Sequence, residues 1–301
     1  MNKLKAMSVF VKIVDCGSMS SAAETLSMSQ SAVVRTLAAL EEVLGVQLLT
    51  RTTRRLNLTE EGREYYSRCR QILHEVEDAE NALNQKQTNP TGLLRVTAPV
   101  TFGRMHLSPV INEFLAQFPN MEIELILLDR VVDLLEEGID IALRIGSLPD
   151  STLIAKPVGT LEHIICASPE YITQSGTPQK PTEIHQHDCI HLTALNSSPE
   201  WPFYDRGSIN KVRISGKFKT NHVEAARDAC CDGLGIGQFL SYQVGPYISQ
   251  GKLIPILEEF SLPPIPINLV YPHSRQLSSR SRVFIDWAQP MLKRRIAEGF
   301  A

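Results

Sequence analysis

Apolar residues recur at helical spacing from the start of the chain. Met7, Phe10, Val11 and Val14 predict a first helix over residues 3–15, ended by Gly17. Ser18 or Ser21 is placed to cap a second, shorter helix whose inner face carries Ala22, Ala23 and Leu26. After a turn at Ser27, Met28 and Ser29, a third helix capped by Ser29 runs to Leu44 and stops at Gly45. Its apolar stripe is Val33, Leu37, Leu40 and Leu44. The opposite face opens with Gln30, Ser31, Val34 and Arg35. Leu56 and Leu58 alternate with polar residues and predict a short strand, with Arg51, Arg54 and Arg55 on the loop before it.

A longer periodic segment follows. Thr59 is placed to cap a helix that begins with Glu60 and Glu61, and no strong breaker occurs before Pro90. Tyr65, Cys69, Ile72, Val76, Ala79 and Leu83 follow one another at steps of four and three, the 3.5-residue period of a coiled-coil seam. A helix of about 28 residues spans ~40 Å, more than a small module covers, so this stripe is expected to pair with a second copy. The alternative is one face packed on its own domain. Residues 85–92 read as a hinge.

Beyond the hinge the pattern changes to short apolar runs alternating with helical ones. Strands are expected over 93–98, 122–128 and 139–145, and helices over 104–118 and 131–137. Strand–helix–strand alternation predicts a mostly parallel sheet with ligands at the strands' carboxyl ends, here residues 99–103 and 144–146. Leu161 to Ala167 opens another lobe, with a helix near 225–231. A late strand at 267–271 is placed to return to the first lobe, before a closing helix over 280–295. The fold class is therefore α/β with an N-terminal winged module. The domains are 1–59, a linker helix and hinge over 60–90, and 91–301. Within the last, lobe I is about 91–160 and 267–301, and lobe II about 161–266.

Charge sharpens this division. The net charge of the 301 residues is −3. Residues 1–59 carry seven Lys and Arg against four Asp and Glu, residues 60–90 four against seven, and the rest nineteen against twenty-two. Nucleic-acid binding therefore belongs at the N-terminus. There, two short helices, a three-residue turn and a helix with a polar N-terminal face form a helix-turn-helix pattern. Gln pairs with adenine, Arg with guanine, and the helix N-terminal amides with phosphate. Arg51, Arg54 and Arg55 suit phosphate or the minor groove.

Other candidates lose force on inspection. No apolar run reaches the ~18 residues of a membrane span, and residues 1–5 lack a secretory pattern, so a cytoplasmic protein without membrane contact is expected. The six cysteines form no CxxC pair and read as free, mostly buried thiols; whether the adjacent Cys230 and Cys231 sense oxidation stays open. Gly233, Gly235 and Gly237 follow a helix and miss the dinucleotide spacing. His185, His187, Cys189 and His191 would share one side of a strand, but they follow Pro181, and ordinary polar packing is favoured over a metal site. No GxSxG, HExxH or Walker lysine motif occurs, so neither a catalytic site nor a cofactor is expected. The rival to a DNA-binding protein is a cytoplasmic enzyme that carries a helix-turn-helix as an interaction module.

The N-terminal region resembles the LysR-type transcriptional regulators. The resemblance rests on residues 17–23, 29–35 and 40–45, on the wing at 48–54 and on 58–62. Residues 140–146, 167–171 and 233–237 resemble the same family's effector domain. It implies a winged helix-turn-helix, a dimerising linker helix and an effector domain like periplasmic solute-binding proteins. It further implies homodimers and homotetramers on operator DNA with dyad symmetry, a small effector between the lobes, and contact with RNA polymerase. The family's DNA-contacting positions fall on Ser29, Gln30, Ser31, Val34, Arg35 and the wing arginines. Val34 departs from the Ser or Thr common there. Effector-contacting positions fall on Pro99, Val100, Thr101, Phe102, Arg144, Ile145, Asn221 and His222. The hydroxyl of Thr101, nearby backbone amides and Asn221 suit a small anionic or polar metabolite, while Val100 and Phe102 would admit an aromatic one.

Overall fold

The computed structural model describes residues 2–52, 55–83, 90–148, 153–194, 198–273 and 277–298. The chain divides into two compact units. One comprises Met1–Pro90 together with Val132–Ile139 and a short stretch before the last helix; the other holds the rest.

In the first unit, α1 (Lys3–Cys16), α2 (Met19–Thr25) and α3 (Gln30–Leu44) precede a hairpin of β1 (Leu49–Thr52) and β2 (Arg55–Leu58), and α4 (Glu60–Leu83) follows. Side chains and glycines set each boundary. Ser18 accepts from the Ser21 amide at 3.1 Å, and Ser29 from the Ala32 amide at 3.2 Å. Gly17 and Gly45 close α1 and α3 in the left-handed region, at φ 67° and 72°. Glu41 reaches from α3 to accept from the Leu48 and Leu49 amides at 2.7 and 3.2 Å, which ties the wing to the helix. Thr59 accepts from the Gly62 amide at 2.8 Å and donates to the Gln47 carbonyl at 2.8 Å. A Cβ on Gly62 would lie 2.0 Å from the Leu48 oxygen, so this corner requires glycine.

Ala6, Val9, Phe10, Ile13, Val33, Leu37, Leu40 and Leu48 form the buried core of this unit. Cys69 from α4 is fully buried in it, and Tyr65 packs against Phe10 with ring centroids 5.9 Å apart. This corrects the expected seam at its beginning: Tyr65 and Cys69 cover the chain's own domain. Ile72 is the first member of the stripe left exposed, at 38%. The side chains of Ala79 and Leu83 lie outside the described set. At 24 residues α4 is about 36 Å long.

Arg51 and Arg55 also differ from expectation. They stand on the two strands, with Arg51 opposite Leu56 and Arg55 opposite Thr52, because the hairpin extends the pairing on both sides of the turn. Arg54 lies outside the described residues. The helix expected over 131–137 is only a turn. Asp133 Oδ1 accepts from the Leu135 and Glu136 amides at 2.9 and 3.1 Å, and Gly138 closes the turn at φ 62°. So short a segment forms few of the bonds that offset helix nucleation.

The second unit contains two lobes. Lobe I holds β3 (Gly92–Ala98), α5 (Val100–Phe102), a π-turn (Gly103–Leu107), α6 (Ser108–Gln117), β4 (Met121–Leu127), β5 (Ile141–Ile145) and β6 (Leu153–Leu161). Lobe II holds β7 (His163–Ala167), α7 (Pro169–Ser175), a 3₁₀ turn (Pro181–Gln186), β8 (Cys189–Leu192), β9 (Glu200–Asp205), β10 (Ser208–Arg213), β11 (Phe218–Thr220), α8 (Val223–Cys231), β12 (Ile236–Leu240), α9 (Ser241–Ser249) and β13 (Ile254–Ile256). The chain then returns to lobe I as β14 (Ile265–Pro272) and α10 (Ser279–Ala297). Leu161, expected to open the second lobe, instead ends a strand of the first.

Lobe I's sheet runs β4-β3-β5-β14-β6, and lobe II's runs β11-β8-β12-β7-β13. Neither is mostly parallel, contrary to expectation. β3 pairs parallel with β4 and β5, but β14 pairs antiparallel with both β5 and β6. In lobe II, β7 pairs antiparallel with β12 and β13. In lobe I the returning strand causes this: β14 comes back from lobe II and pairs antiparallel with both of its neighbours.

Candidate nucleic-acid interface and interlobe cleft

Of the expected DNA-contacting residues, Ser29, Gln30, Ser31 and Arg35 are exposed. They occupy the cap and first turns of α3, opposite the buried stripe of Val33, Leu37 and Leu40. Gln30 and Val34, like Ser31 and Arg35, are four residues apart and so share a helix face. Val34 is half-buried against the core, so it borders the polar face rather than extending it. With Ser29 at its cap and Ser31 in its first turn, the helix N-terminus offers hydroxyls and backbone amides to a phosphate.

In lobe I, α5, the π-turn and α6 make one continuous helical run. It starts at Val100, earlier than expected, because the Asp129 carboxylate caps it: Oδ1 accepts from the Val100 amide at 2.9 Å. Gly103 lets the run lie on the sheet, since a Cβ there would come within 2.2 Å of Leu127 Cδ2. The π-turn brings Phe102 and His106 together, with ring centroids 4.9 Å apart.

Lobe II meets this helix directly. Tyr242, at the start of α9, packs edge-on against Phe102 at 5.1 Å and against His106 at 5.8 Å. Such ring pairs contribute about 0.5–1.5 kcal/mol each beyond their area. Phe102 is 0%, Tyr242 2% and His106 7% exposed. Burial lowers His106 to about 4, so its ring is neutral near pH 7. Burial, with Asp129's negative charge among the smaller causes, raises Tyr242 to about 12. Arg104 forms an ion pair with Glu224 in the first turn of α8. That pair is largely solvent-exposed and worth no more than about 1 kcal/mol, but it joins the lobes.

Of the expected effector positions, Pro99 and Val100 are half-buried at the helix start, and Arg144 and Ile145 are half-buried at the end of β5. Asn221 and the α8 cap residue His222 are exposed. The Arg104–Glu224 pair brings the start of α8 to the helix that carries Thr101. Thr101 itself is only 3% exposed, so its hydroxyl is not offered to the open surface. Sequence reasoning missed Asp129, His106, Glu224 and Tyr242. Only Glu224 had a local signal, an acid in a helix's first turn. Tyr242 follows a strand buried at every position, which carries no alternation that marks a face.

Other motifs find structural roles. His185 is exposed on the 3₁₀ turn, His187 lies 3.3 Å from the Tyr171 hydroxyl, and His191 stands on β8, so the three rings do not line one strand. Gly235 and Gly237 permit close packing against the Asp188 carbonyl and the Phe239 ring. Cys230 donates to the Cys166 carbonyl at 3.3 Å. The neighbouring Cys230 and burial push Cys166 well above the usual thiol range, and burial raises Cys231, which disfavours thiolates. No described helix is long and apolar enough to cross a membrane.

Comparison with known proteins agrees with this architecture. A family model described as a bacterial regulatory helix-turn-helix protein of the lysR family matches residues 4–63, and one described as a LysR substrate binding domain matches residues 87–293. The transcriptional regulator CrgA of Neisseria meningitidis serogroup C is 39% identical over 282 residues, covering 93% of this chain and 94% of that protein. The regulator YhjC of Escherichia coli K12 is 36% identical over 297 residues, covering 97% and 99%. A solved structure of CrgA, described as a LysR-type regulator, superposes with a TM-score of 0.62 at 38% identity, covering 96% of this chain and 98% of that one. Full-length AphB, described as a Vibrio cholerae virulence activator, gives 0.64 at 28% identity, covering 95% and 98%. This chain therefore belongs to the LysR family of DNA-binding transcriptional regulators, with a helix-turn-helix domain followed by a two-lobed substrate-binding domain.

Proposed function

We propose that this regulator reads a dyad-symmetric operator with Ser29, Gln30, Ser31 and Arg35, flanked by Val34. Arg51, Arg54 and Arg55 hold the adjacent phosphates or minor groove. The observation that carries the reading is the exposed polar start of α3, on the net-basic segment of a chain whose other segments are acidic. Half-site recognition requires two copies, and α4 from Ile72 onward supplies the apolar stripe that joins them. Dimers then assemble as tetramers in the cytoplasm, where the protein contacts RNA polymerase. The domain boundaries are those of the sequence reading: 1–59, 60–90 and 91–301.

A small effector binds between the lobes, near Pro99, Val100, Thr101 and Phe102 on one side and Asn221 and His222 on the other, with Arg144 and Ile145 at the neighbouring strand end. It acts only through its different affinity for two lobe or tetramer arrangements. The protein performs no catalysis in this reading. The test is footprinting of the promoters nearest its own gene with the wild-type chain and with Gln30→Ala and Arg35→Ala. Protection lost in both variants supports the reading; identical protection in both removes α3 from the interface.

A further inference from the structure

The wing is a sheet of two strands, β1 and β2, a pair that is marginally stable in isolation. Its base is held from two sides. On one side a single oxygen of Glu41, Oε1, accepts from the Leu48 and Leu49 amides at 2.7 and 3.2 Å. On the other, the Thr59 hydroxyl donates to the Gln47 carbonyl at 2.8 Å, with the Leu48 carbonyl 3.2 Å away, and the Thr59 amide donates to Leu48 at 3.0 Å. Glu41 belongs to α3 and Thr59 stands just before α4, so residues 47–49 bridge the two helices. Glu41 is badly placed for α3 alone. It lies in the last turn, where the carbonyl end of the helix dipole disfavours an anion. It also adds negative charge to a module that binds a polyanion. The two amides supply the partial positive charge that offsets this. Glu42 beside it is exposed, whereas Glu41 is half-buried on the wing base. The wing arginines are placed from the same base: Arg51 follows Leu49 by two residues, about 7 Å along β1, and Arg55 opens β2 opposite Thr52.

We propose that Glu41 is a positioning residue for DNA binding, which with Thr59 fixes the wing against α3 so that the wing arginines meet phosphate while α3 lies in the major groove, a role that rests on the reading of the wing as a phosphate-holding element. A carboxylate thereby strengthens binding to a polyanion, the reverse of its direct charge effect.

Operator affinity measured against salt on the full chain tests this. A loss of folded protein lowers the active fraction and shifts the whole line, but the slope of log affinity on log salt reports the phosphates neutralised. Glu41→Ala should lower that slope by about 0.9 or more, the value of at least one phosphate contact, and keep the preference for operator over unrelated DNA. Glutamine keeps one oxygen for both amides, so Glu41→Gln should retain most of the slope. Added to the Arg51, Arg54 and Arg55 triple alanine variant, Glu41→Ala should lower the slope no further, because it acts through those arginines. The two ways of failing are distinct. A wild-type slope in the triple variant removes the wing from DNA and overturns both the reading and the positioning role. A shallower slope in the triple variant beside a wild-type slope in Glu41→Ala overturns the positioning role alone. So does an equal loss in Glu41→Gln and Glu41→Ala, or a further drop when Glu41→Ala joins the triple variant.

Discussion

Single residues decide whether this chain reads DNA. If Arg35 contacts a base edge, Arg35→Ala should weaken operator binding by about 1–3 kcal/mol. Its exposure on α3 means that unfolding should not contribute, which thermal melting of the variant checks. Gly62 is the opposite case, a residue with structural work only. Gly62→Ala drives a Cβ to 2.0 Å from the Leu48 oxygen and should destabilise the N-terminal unit by about 1–3 kcal/mol. Operator affinity should then fall together with the melting temperature. His106 gives a pH signature. Its pKa drops from 6.5 to about 4 on folding, so the unfolded chain binds the proton first as pH falls. Stability from this residue is complete above pH 6.5 and is lost as pH falls toward 4, at up to about 1.4 kcal/mol per pH unit. His163, also lowered by burial, contributes in the same direction. Denaturant melts of His106→Gln between pH 6.5 and 4 should be flatter than wild type; equal slopes would show that the ring is not held neutral.

At the scale of elements, the stripe of α4 divides: its first turns, through Tyr65 and Cys69, complete the core of the winged module, and Ile72 is the first member left exposed among the described residues. Ile72→Asp with Val76→Asp should dissociate the dimer, because the buried seam would then hold unpaired charge. Sedimentation should show the lower mass while the module stays folded. Unchanged mass would place that face elsewhere. The sequence revealed the three N-terminal helices and their caps because Ser18, Ser29, Gly17 and Gly45 punctuate them locally. It also revealed the 3.5-residue period of α4, but a period reports that a face is covered, not what covers it. The wing was only half legible: Leu56 and Leu58 alternate, whereas β1 is four residues long and depends on Glu41 to anchor its start. Strand direction in the lobes was not legible, since β14's antiparallel pairing follows from its crossover and not from its composition. Phe102 and Tyr242 meet only through the tertiary fold, so no local pattern announces the pair.

Across the whole molecule, the chain carries a helix-turn-helix unit and two lobes that touch through Phe102, His106, Tyr242 and the Arg104–Glu224 pair. Thr101 is only 3% exposed, so Thr101→Ala should act through the packing of its helix at the lobe contact: the response to inducer falls while operator affinity stays intact, as a reporter assay beside binding measurements will show. Full induction with unchanged ligand affinity would make Thr101 merely the first turn of a helix. The most direct test of DNA reading is operator affinity measured against salt for wild type and for the Arg51, Arg54 and Arg55 triple alanine variant. Each arginine that neutralises a phosphate contributes about 0.9 to the slope of log affinity on log salt. The account predicts a distinctly shallower slope for the variant, with Gln30→Ala and Arg35→Ala removing sequence preference. An unchanged slope, together with unchanged preference in the α3 variants, would contradict it.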